Sequence, residues 1–126
     1  MDAMIRFGEG WYQDEYDLKR TRAWRWMRES SMTLLPPIGS SGLLRLRFHL
    51  PLDALPRPAK LTIIWNGTVI EQSICKDLES ERRYVVASRS NEPNECRILV
   101  DETARAKGDP RQLGLELVGV SWERAF

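Results

Sequence analysis

Residues 43–50, Leu-Leu-Arg-Leu-Arg-Phe-His-Leu, are the stretch of this sequence that decides its fold. From Leu44 onward, apolar and polar side chains alternate without a break. Four apolar side chains point to one side and three polar ones to the other: Leu44, Leu46, Phe48 and Leu50 against Arg45, Arg47 and His49. Period two is the repeat of a β-strand with one buried face. The stretch therefore predicts a strand with a core side and a solvent side.

The residues after this strand predict a connection and then a hairpin. The segment from Pro51 to Pro58 contains three prolines and predicts an irregular connection, because proline cannot donate to a central ladder. A second strand is predicted from Leu61 to the pair Asn66-Gly67, and a third from Val69 to Cys75. Asn-Gly between two β-like runs predicts a hairpin, since both residues tolerate the positive φ of a type I′ turn.

The same alternation recurs along the rest of the chain. Further strands are predicted near Ile5 and at Ala23–Glu29, Ser31–Leu35, Arg82–Ser88, Cys96–Asp101 and Gln112–Trp122. About eight strands at this spacing predict an all-β fold, a two-sheet antiparallel β-sandwich of jelly-roll type, with residues 1–126 as a single domain.

Two local departures from regular strands are also predicted. The last strand changes its apolar phase between Leu117 and Val118, beside Gly119, which indicates a β-bulge or a bend. One short helical turn is expected at Asp101–Lys107, ended by Gly108-Asp109-Pro110.

Charge and hydropathy exclude several classes of partner. The 19 Lys and Arg residues against 18 Asp and Glu residues leave a formal net charge of +1, so we expect no long-range field and neither nucleic acid nor membrane as a partner. No apolar run approaches the roughly 20 residues that span a bilayer. The stretch from Met1 to Gly10 carries three charges, which is wrong for a secretory signal. The expected location is cytoplasmic.

Catalytic and metal-binding parts are scarce. Cys75 and Cys96 have no Cys-x-x-Cys partner and no neighbouring histidine, so they are interpreted as small buried side chains in a reducing compartment. His49 lies on the polar face of the most regular strand, without the orienting partner and nucleophile that a general base needs. The pair Asp14-Glu15 fits a glycosidase only if the two carboxyls have the right separation, which the sequence does not fix. We expect no enzyme, no cofactor and no metal site.

Aromatic residues are the unusual feature of this sequence. Three of the five tryptophans, Trp11, Trp24 and Trp26, fall in one short region. Charged and tyrosine residues lie between them: Tyr12, Asp14, Glu15, Tyr16, Asp17, Lys19, Arg20, Arg22 and Arg25. Aromatic faces among fixed donors and acceptors suit sugars, because CH patches stack on the ring while hydroxyls take hydrogen bonds.

The five tryptophans are not equivalent. On a strand, Trp24 and Trp26 share a face with Arg25 on the other, and a core position is at least as good an interpretation for them as a binding platform. Trp65 and Trp122 are in phase with apolar neighbours and are predicted to be core. The loop-like context of Trp11 leaves it, with Tyr12, as the expected exposed aromatic pair. The candidate ligand-binding residues are Trp11, Tyr12, Glu15 and Arg25.

Basic residues in the same region offer a competing interpretation. They are Lys19, Arg20, Arg22, Arg25 and Arg28, with Arg45 and Arg47 beside them if the strands pair. Aromatic and basic residues together are typical of single-stranded nucleic-acid binding. The interleaved acidic residues and the near-zero net charge favour a solvated mixed-charge face instead.

Several short motifs carry a resemblance to a known family. They are Gly10-Trp11-Tyr12, Glu15, Trp24-Arg25-Trp26-Met27, Leu34-Leu35-Pro36, the segment from Leu61 to Asn66-Gly67, and Asp109-Pro110-Arg111-Gln112-Leu113-Gly114-Leu115. Together they resemble the jelly-roll, galactose-binding-like accessory β-sandwiches found beside bacterial glycosyltransferases and other surface-polysaccharide enzymes.

This resemblance implies a carbohydrate-binding or scaffolding module in a bacterial cytoplasm, with carbohydrate or a glycosyltransferase-type protein as its partner. It implies no catalytic residues. A sugar-binding module is expected to expose Trp11 and Tyr12 on a concave face with converging polar groups. The alternative, a protein-interaction or self-assembly module, predicts a flat apolar patch or an unprotected edge strand.

Overall fold

The computed structural model describes residues 4–19, 22–55 and 57–125. These residues form ten β-strands and one turn of 3-10 helix, Leu52–Ala54. In chain order the strands are β1 (Arg6–Phe7), β2 (Glu15–Tyr16), β3 (Ala23–Met27), β4 (Ser30–Leu35), β5 (Ser41–His49), β6 (Ala59–Trp65), β7 (Thr68–Cys75), β8 (Glu79–Ala87), β9 (Asn94–Val100) and β10 (Leu115–Arg124). No helix in this described part of the chain has the length and apolar character needed to cross a membrane.

The strands form two antiparallel sheets of five strands each. The first sheet has the order β1-β4-β9-β6-β7, and the second has the order β2-β3-β10-β5-β8. Most neighbouring strands are distant in sequence, as in jelly-roll sandwiches, because successive strands pass from one sheet to the other. The predicted two-sheet antiparallel β-sandwich is confirmed.

The core lies between the sheets and contains the apolar side of β5. Leu44, Leu46 and Phe48 are at most 3% exposed, whereas Arg47 on the same strand is exposed. The first sheet covers them with the inward side chains of two central strands: Leu61, Ile63 and Trp65 of β6, and Cys96, Ile98 and Val100 of β9. The alternation in residues 43–50 therefore sets which side of the second sheet faces solvent.

The predicted hairpin is also confirmed. Asn66 has φ 47° and Gly67 has φ 86°, and β6 pairs with β7 on either side of them. Asn66 is held further by Glu95, whose backbone N–H donates to Asn66 Oδ1 at 2.7 Å while its carbonyl accepts from Asn66 N at 2.8 Å. The two positive φ values are those of the predicted type I′ turn.

Replacing Gly67 with valine is expected to lower the free energy of unfolding by about 1 kcal/mol or more. A Cβ at position 67 would meet open space, so the loss comes from a β-branched residue forced to positive φ and not from a clash. Urea titration measures the change. Gly39 is a second glycine with a positive φ and open space around it, in a loop outside this hairpin. Gly39→Val is therefore the matched variant, which measures the cost of the same strain at that loop. An unchanged midpoint for Gly67→Val would contradict the turn assignment.

Two expectations were wrong or incomplete. Asp101–Lys107 forms no helical turn, because Ala104 and Leu113 pair across an isolated bridge and exchange N–H···O bonds of 2.9 and 2.8 Å, which hold the segment extended. The short strand β2 was not predicted. The bulge in β10 is confirmed, since its pairing with β5 shifts register between Leu117 and Gly119.

Both cysteines are free and buried, as predicted, with Cys75 at 2% and Cys96 at 1% exposure. Burial raises the pKa of Cys96 to about 12, so its thiolate is absent at neutral pH. Among the tryptophans, Trp65 is confirmed as core, and the half-buried Trp122 ring packs against it with the centroids 5.0 Å apart.

A polar network closes the sandwich where the edge strands β7 and β8 approach each other. The Glu71 carboxylate accepts hydrogen bonds from Arg82 Nε at 3.0 Å, from Ser73 Oγ at 2.7 Å and from the Tyr84 hydroxyl. Burial alone would raise the pKa of Glu71, but the hydrogen bonds from Tyr84, Ser73 and Arg82 outweigh it and lower that pKa. Because its folded-state pKa is depressed, Glu71 stabilises the fold above its ordinary value of 4.5 and loses that contribution as pH falls below it.

Glu71→Gln is therefore expected to lower stability by about 1–3 kcal/mol near neutral pH, since Arg82 loses its carboxylate partner. The difference from the unmodified protein should shrink as the pH falls below 4.5, the ordinary pKa of a glutamate carboxyl. Urea unfolding across this pH range measures both effects. Exposed Glu92→Gln is the control, and a pH-independent difference for Glu71→Gln would contradict the account.

Candidate functional site

The solvent face of the second sheet carries a line of four side chains that lie directly across from one another. Trp26 on β3 is opposite Glu116 on β10, Glu116 is opposite His49 on β5, and His49 is opposite Glu79 on β8. Met27, next to Trp26, is fully buried, so Trp26 points away from the core. Strand pairing thus brings together residues that are up to 90 positions apart in the sequence.

His49 is fixed between two carboxylates in this line. Its Nδ1 lies 3.4 Å from Glu116 Oε1, and its Nε2 lies 3.5 Å from Glu79 Oε1. The imidazole side chain is 33% exposed, and that of Glu79 is 82% exposed. The ring is therefore held in position, while the Glu79 carboxylate remains open to solvent and can accept further hydrogen bonds.

The line borders a concave surface of about 430 Å³, which we call the Trp26 groove. It is lined by Trp26, His49, Leu50, Pro51, Asp53, Leu78 and Glu79. Trp26, Pro51 and Leu78 supply apolar surface, while His49, Asp53 and Glu79 supply polar groups. An apolar concavity with a few convergent polar groups is the usual form of a small-molecule site.

The connection after β5 builds one wall of the Trp26 groove. Leu50 N donates to Leu78 O at 3.0 Å, which holds the start of the connection beside β8. Pro51 then ends the strand, and the backbone turns so that Ala54 N donates to Pro51 O at 3.0 Å. This short 3-10 turn places the exposed Asp53 at the rim of the groove. The predicted irregular connection is confirmed except at Pro56, which lies outside the described residues.

A second polar cluster surrounds Arg111 at the other side of β3. Its guanidinium donates to Asp109 Oδ2 at 2.8 Å and to Glu15 Oε2 at 3.2 Å, and it lies 5.3 Å from the centre of the Tyr12 ring. The Tyr12 hydroxyl accepts from Gln112 N at 3.2 Å. Hydrogen bonds from Arg111 lower the pKa of Asp109 and keep it ionised. The cluster is internally paired, so it positions the loop before β10 beside Tyr12.

The structure brings three of the four predicted ligand-binding residues together. Arg25 Nη1 donates to Tyr12 O at 2.8 Å, and Tyr12 and Glu15 both contact Arg111. Arg25 faces the core side of β3, where its guanidinium lies 4.2 Å from the centre of the Phe7 ring. Tyr12 and Glu15 are half-buried. Binding of a ligand by these residues stays a prediction.

Tyr12 and Trp11 are both half-buried, so the expectation of an exposed aromatic pair was wrong, and Trp11 packs against the core. Its Nε1 donates to Thr33 Oγ1 at 3.0 Å, and its ring packs edge-on against Phe7 with the centroids 5.4 Å apart. An isolated bridge between Trp11 and Met27 turns the ring toward the core. Its surroundings are those of a packing residue.

Trp11→Ala is expected to lower the free energy of unfolding by about 3 kcal/mol, because a large ring that packs against the core is lost and Thr33 loses its donor. Urea unfolding measures this change, and Trp11→Phe is the conservative control that keeps a ring beside Phe7. Retained stability with lost ligand binding would instead support the exposed-platform interpretation.

Trp24 and Trp26, whose environment the sequence left open, are both half-buried on the solvent face of β3. Trp24 borders a second cleft of about 200 Å³, formed where β3 and β10 separate beside the bulge at Val118.

The basic residues of the competing nucleic-acid interpretation do not form one surface beside β3. Among them, Arg20 lies outside the described residues. Arg45 and Arg47 do not adjoin β3, because β10 lies between β3 and β5.

Sequence reasoning missed His49, Asp53, Glu79 and Arg111 as neighbours of the aromatic stretch. The alternation placed His49 on the solvent face of its strand but left open whether Trp26 is a core or a surface residue. What it lacked was the strand order, which alone makes them neighbours. Within residues 4–19, 22–55 and 57–125, no three His, Cys, Asp or Glu side chains come close enough together to hold a metal ion.

Among the comparisons with known proteins, the likeness found is to solved structures. No family model and no curated protein matches this sequence. A family 35 carbohydrate-binding module from Clostridium thermocellum aligns over 98% of this chain and 100% of its own, with 11% identity and a TM-score of 0.52. A CBM35 from Paenibacillus barcinonensis aligns over 97% of this chain and 99% of its own, with 15% identity and a TM-score of 0.45.

A third solved structure, of the carbohydrate-binding module CBM36 in complex with calcium and xylotriose, covers 98% of this chain and 100% of that chain, with 7% identity and a TM-score of 0.45. At 11% identity, the likeness to the Clostridium thermocellum module establishes a shared β-sandwich fold. Ligands do not transfer on a fold alone.

Proposed function

We propose that this domain binds carbohydrate without catalysing a reaction, and that the Trp26 groove is its binding site. The observation that carries the proposal is the open concave surface where the half-buried Trp26 ring lies in line with His49 and its two carboxylates. The shared sandwich fold of a carbohydrate-binding module supports it.

The groove offers the two kinds of contact that a sugar needs. The CH-bearing face of a pyranose stacks on an indole ring, while carboxylates such as Asp53 and Glu79 accept hydrogen bonds from hydroxyls. Both carboxylates are exposed, so each hydroxyl exchanges water for protein and gains little. The expected dissociation constant is therefore between about 1 mM and 1 μM, or about 4–8 kcal/mol.

The lining of the groove supports a binding role and not catalysis. Among the described residues that line it there is no serine, threonine or cysteine, and its carboxylates Asp53 and Glu79 are both exposed, without the desolvated setting of a general acid. Instead, His49 is flanked by carboxylates that hold it in place. Both ring nitrogens face these carboxylates, so His49 positions Glu79 and Glu116 at the groove.

The cellular location of the domain and its partner protein form a separate part of the proposal. The motifs around Trp11 and Trp24 resemble those of accessory domains of bacterial surface-polysaccharide enzymes, which supports a cytoplasmic domain that presents such a polysaccharide, or its precursor, to a glycosyltransferase-type partner. Co-purification of a glycosyltransferase with the tagged domain from its own cells is the expected result. Recovery of the domain alone would contradict this part.

An interaction or self-assembly role is the second candidate, favoured by the free edge of the first sheet. Strand β7 has no Lys or Pro, and its Val69 and Ile74 are 53% and 54% exposed. Such an edge can pair with another chain. Concentration-dependent dimerisation that Val69→Lys abolishes, in a protein that binds no glycan, would favour this role.

A polysaccharide microarray tests the carbohydrate proposal. The labelled domain is expected to bind a subset of the printed polymers, and Trp26→Ala to lose them. Glu95→Ala, at an exposed position on the first sheet, is the control and should bind as the unmodified domain does. Binding to no polymer, or binding that both variants retain, would overturn the proposal.

A further inference from the structure

Two arginines face each other on the solvent face of the second sheet, away from the Trp26 groove. Arg45 on β5 lies directly across from Arg83 on β8, with Ser121 of β10 on its other side. Arg47, two residues along β5, points to the same face. Like charges directly opposite each other on neighbouring strands are destabilising. The folding of the sheet therefore does not explain why Arg45 and Arg83 lie opposite each other.

The positive charge of this pair is poorly compensated by the chain itself. Within the described residues Arg45 has no ion pair, and its Nε is buried without an acceptor. Of the acidic residues that the structure describes, Arg83 reaches only Glu81, at 3.4 Å, in a pair whose side chains are 60% and 45% exposed. An ion pair this exposed contributes little. Glu81 also lies directly opposite Arg47, and in the described part of the chain its one ion pair is with Arg83.

We propose that Arg45 and Arg83 bind an oxyanion on the carbohydrate, so that the ligand of this domain is an acidic polysaccharide bearing carboxylate, sulfate ester or phosphate ester groups. This inference rests on the proposed function. Planar guanidinium groups present paired N–H donors that match two oxygens of such an anion. An anion between them replaces the repulsion of the two arginines with two attractive contacts.

The distance to the Trp26 groove defines the size of the ligand. His49 and Arg45 are four residues apart on β5, which corresponds to about 13 Å along the strand. A ligand that contacts both is an oligosaccharide, with a neutral ring on Trp26 and an acidic residue at the arginine pair. The carboxylates of the groove repel an anion, which favours this orientation over the reverse.

The polysaccharide microarray tests the inference on polymers, with matched variants. We expect the bound polymers to be acidic, and Arg45→Gln or Arg83→Gln to lower the affinity for them at least about tenfold. Arg6→Gln, which removes one exposed charge from the first sheet, should have no effect. Polymers with carboxylates and polymers with sulfate or phosphate esters distinguish the source of the anion. Binding of neutral polymers alone, lost in Trp26→Ala but kept in Arg45→Gln, would overturn the inference and leave the proposed function standing.

A titration with sodium sulfate tests the arginine pair without any sugar. The Nε–H NMR signals of Arg45 and Arg83 are expected to shift saturably with sulfate, and not with sodium chloride at equal ionic strength, which screens charge equally. Arg57 on the connection after β5 is the internal reference. Equal responses to both salts would overturn the inference, whether or not a polysaccharide binds.

Discussion

Trp26→Ala is expected to lower the affinity for the bound polysaccharide at least about tenfold, a loss of about 1.4 kcal/mol or more. Among the described residues, Trp26 is the one tryptophan, tyrosine or phenylalanine that lines the Trp26 groove, so its removal leaves the carboxylates without an indole stacking surface. The change should leave the domain folded at 25 °C, because Trp26 is half-buried on the solvent face of β3 and not part of the core.

Titration calorimetry measures this affinity, and circular dichroism checks the fold of each variant. Trp26→Phe is the matched variant, since it keeps an aromatic face at the same position and should retain most of the binding. An affinity unchanged in Trp26→Ala would contradict the placement of the site. Unfolding of this variant would show instead that the ring is structural.

Phe48→Ala is expected to lower the free energy of unfolding by about 3–5 kcal/mol, the largest stability effect in this account. Phe48 is 1% exposed in the core and lies on a strand paired on both sides. Truncation there leaves a cavity that the surrounding sheets cannot close.

His49→Ala, one residue further along β5, is the matched control. Its side chain points to the opposite face, so its effect on stability should stay below about 1 kcal/mol, whereas its effect on ligand binding should be clear. Urea unfolding of the two variants gives the comparison. Similar losses of stability in both would contradict the division of β5 into a core side and a ligand side.

Local patterns were enough to predict most of the fold. The alternation in residues 43–50 and the Asn66-Gly67 turn depend on side-chain direction and backbone φ, which neighbouring residues determine. The helical turn at Asp101–Lys107 was wrong because Ala104 pairs with Leu113, and a contact across nine positions does not show in local periodicity. Strand β2 was missed because its two residues lie in the polar stretch Asp14 to Asp17, which shows no apolar alternation.

The site was less predictable than the fold, because it depends on strand order. Trp26, His49 and Glu79 become neighbours only when β10 lies between β3 and β5. The density of aromatic residues pointed to Trp11 as the exposed ring, whereas Trp11 packs against Phe7 and Trp26 lies on the solvent face of β3. Arg111, which covers Tyr12, comes from a loop about 100 residues away.

Backbone amide chemical shifts recorded while the domain is titrated with oligosaccharide fragments of a bound polymer test the central claim most directly. The largest changes are expected on the solvent face of the second sheet and its rim, at Trp26, His49, Asp53 and Glu79, and they are expected to saturate together. Changes confined to the first sheet, or centred on Trp11 and Thr33, would contradict that claim.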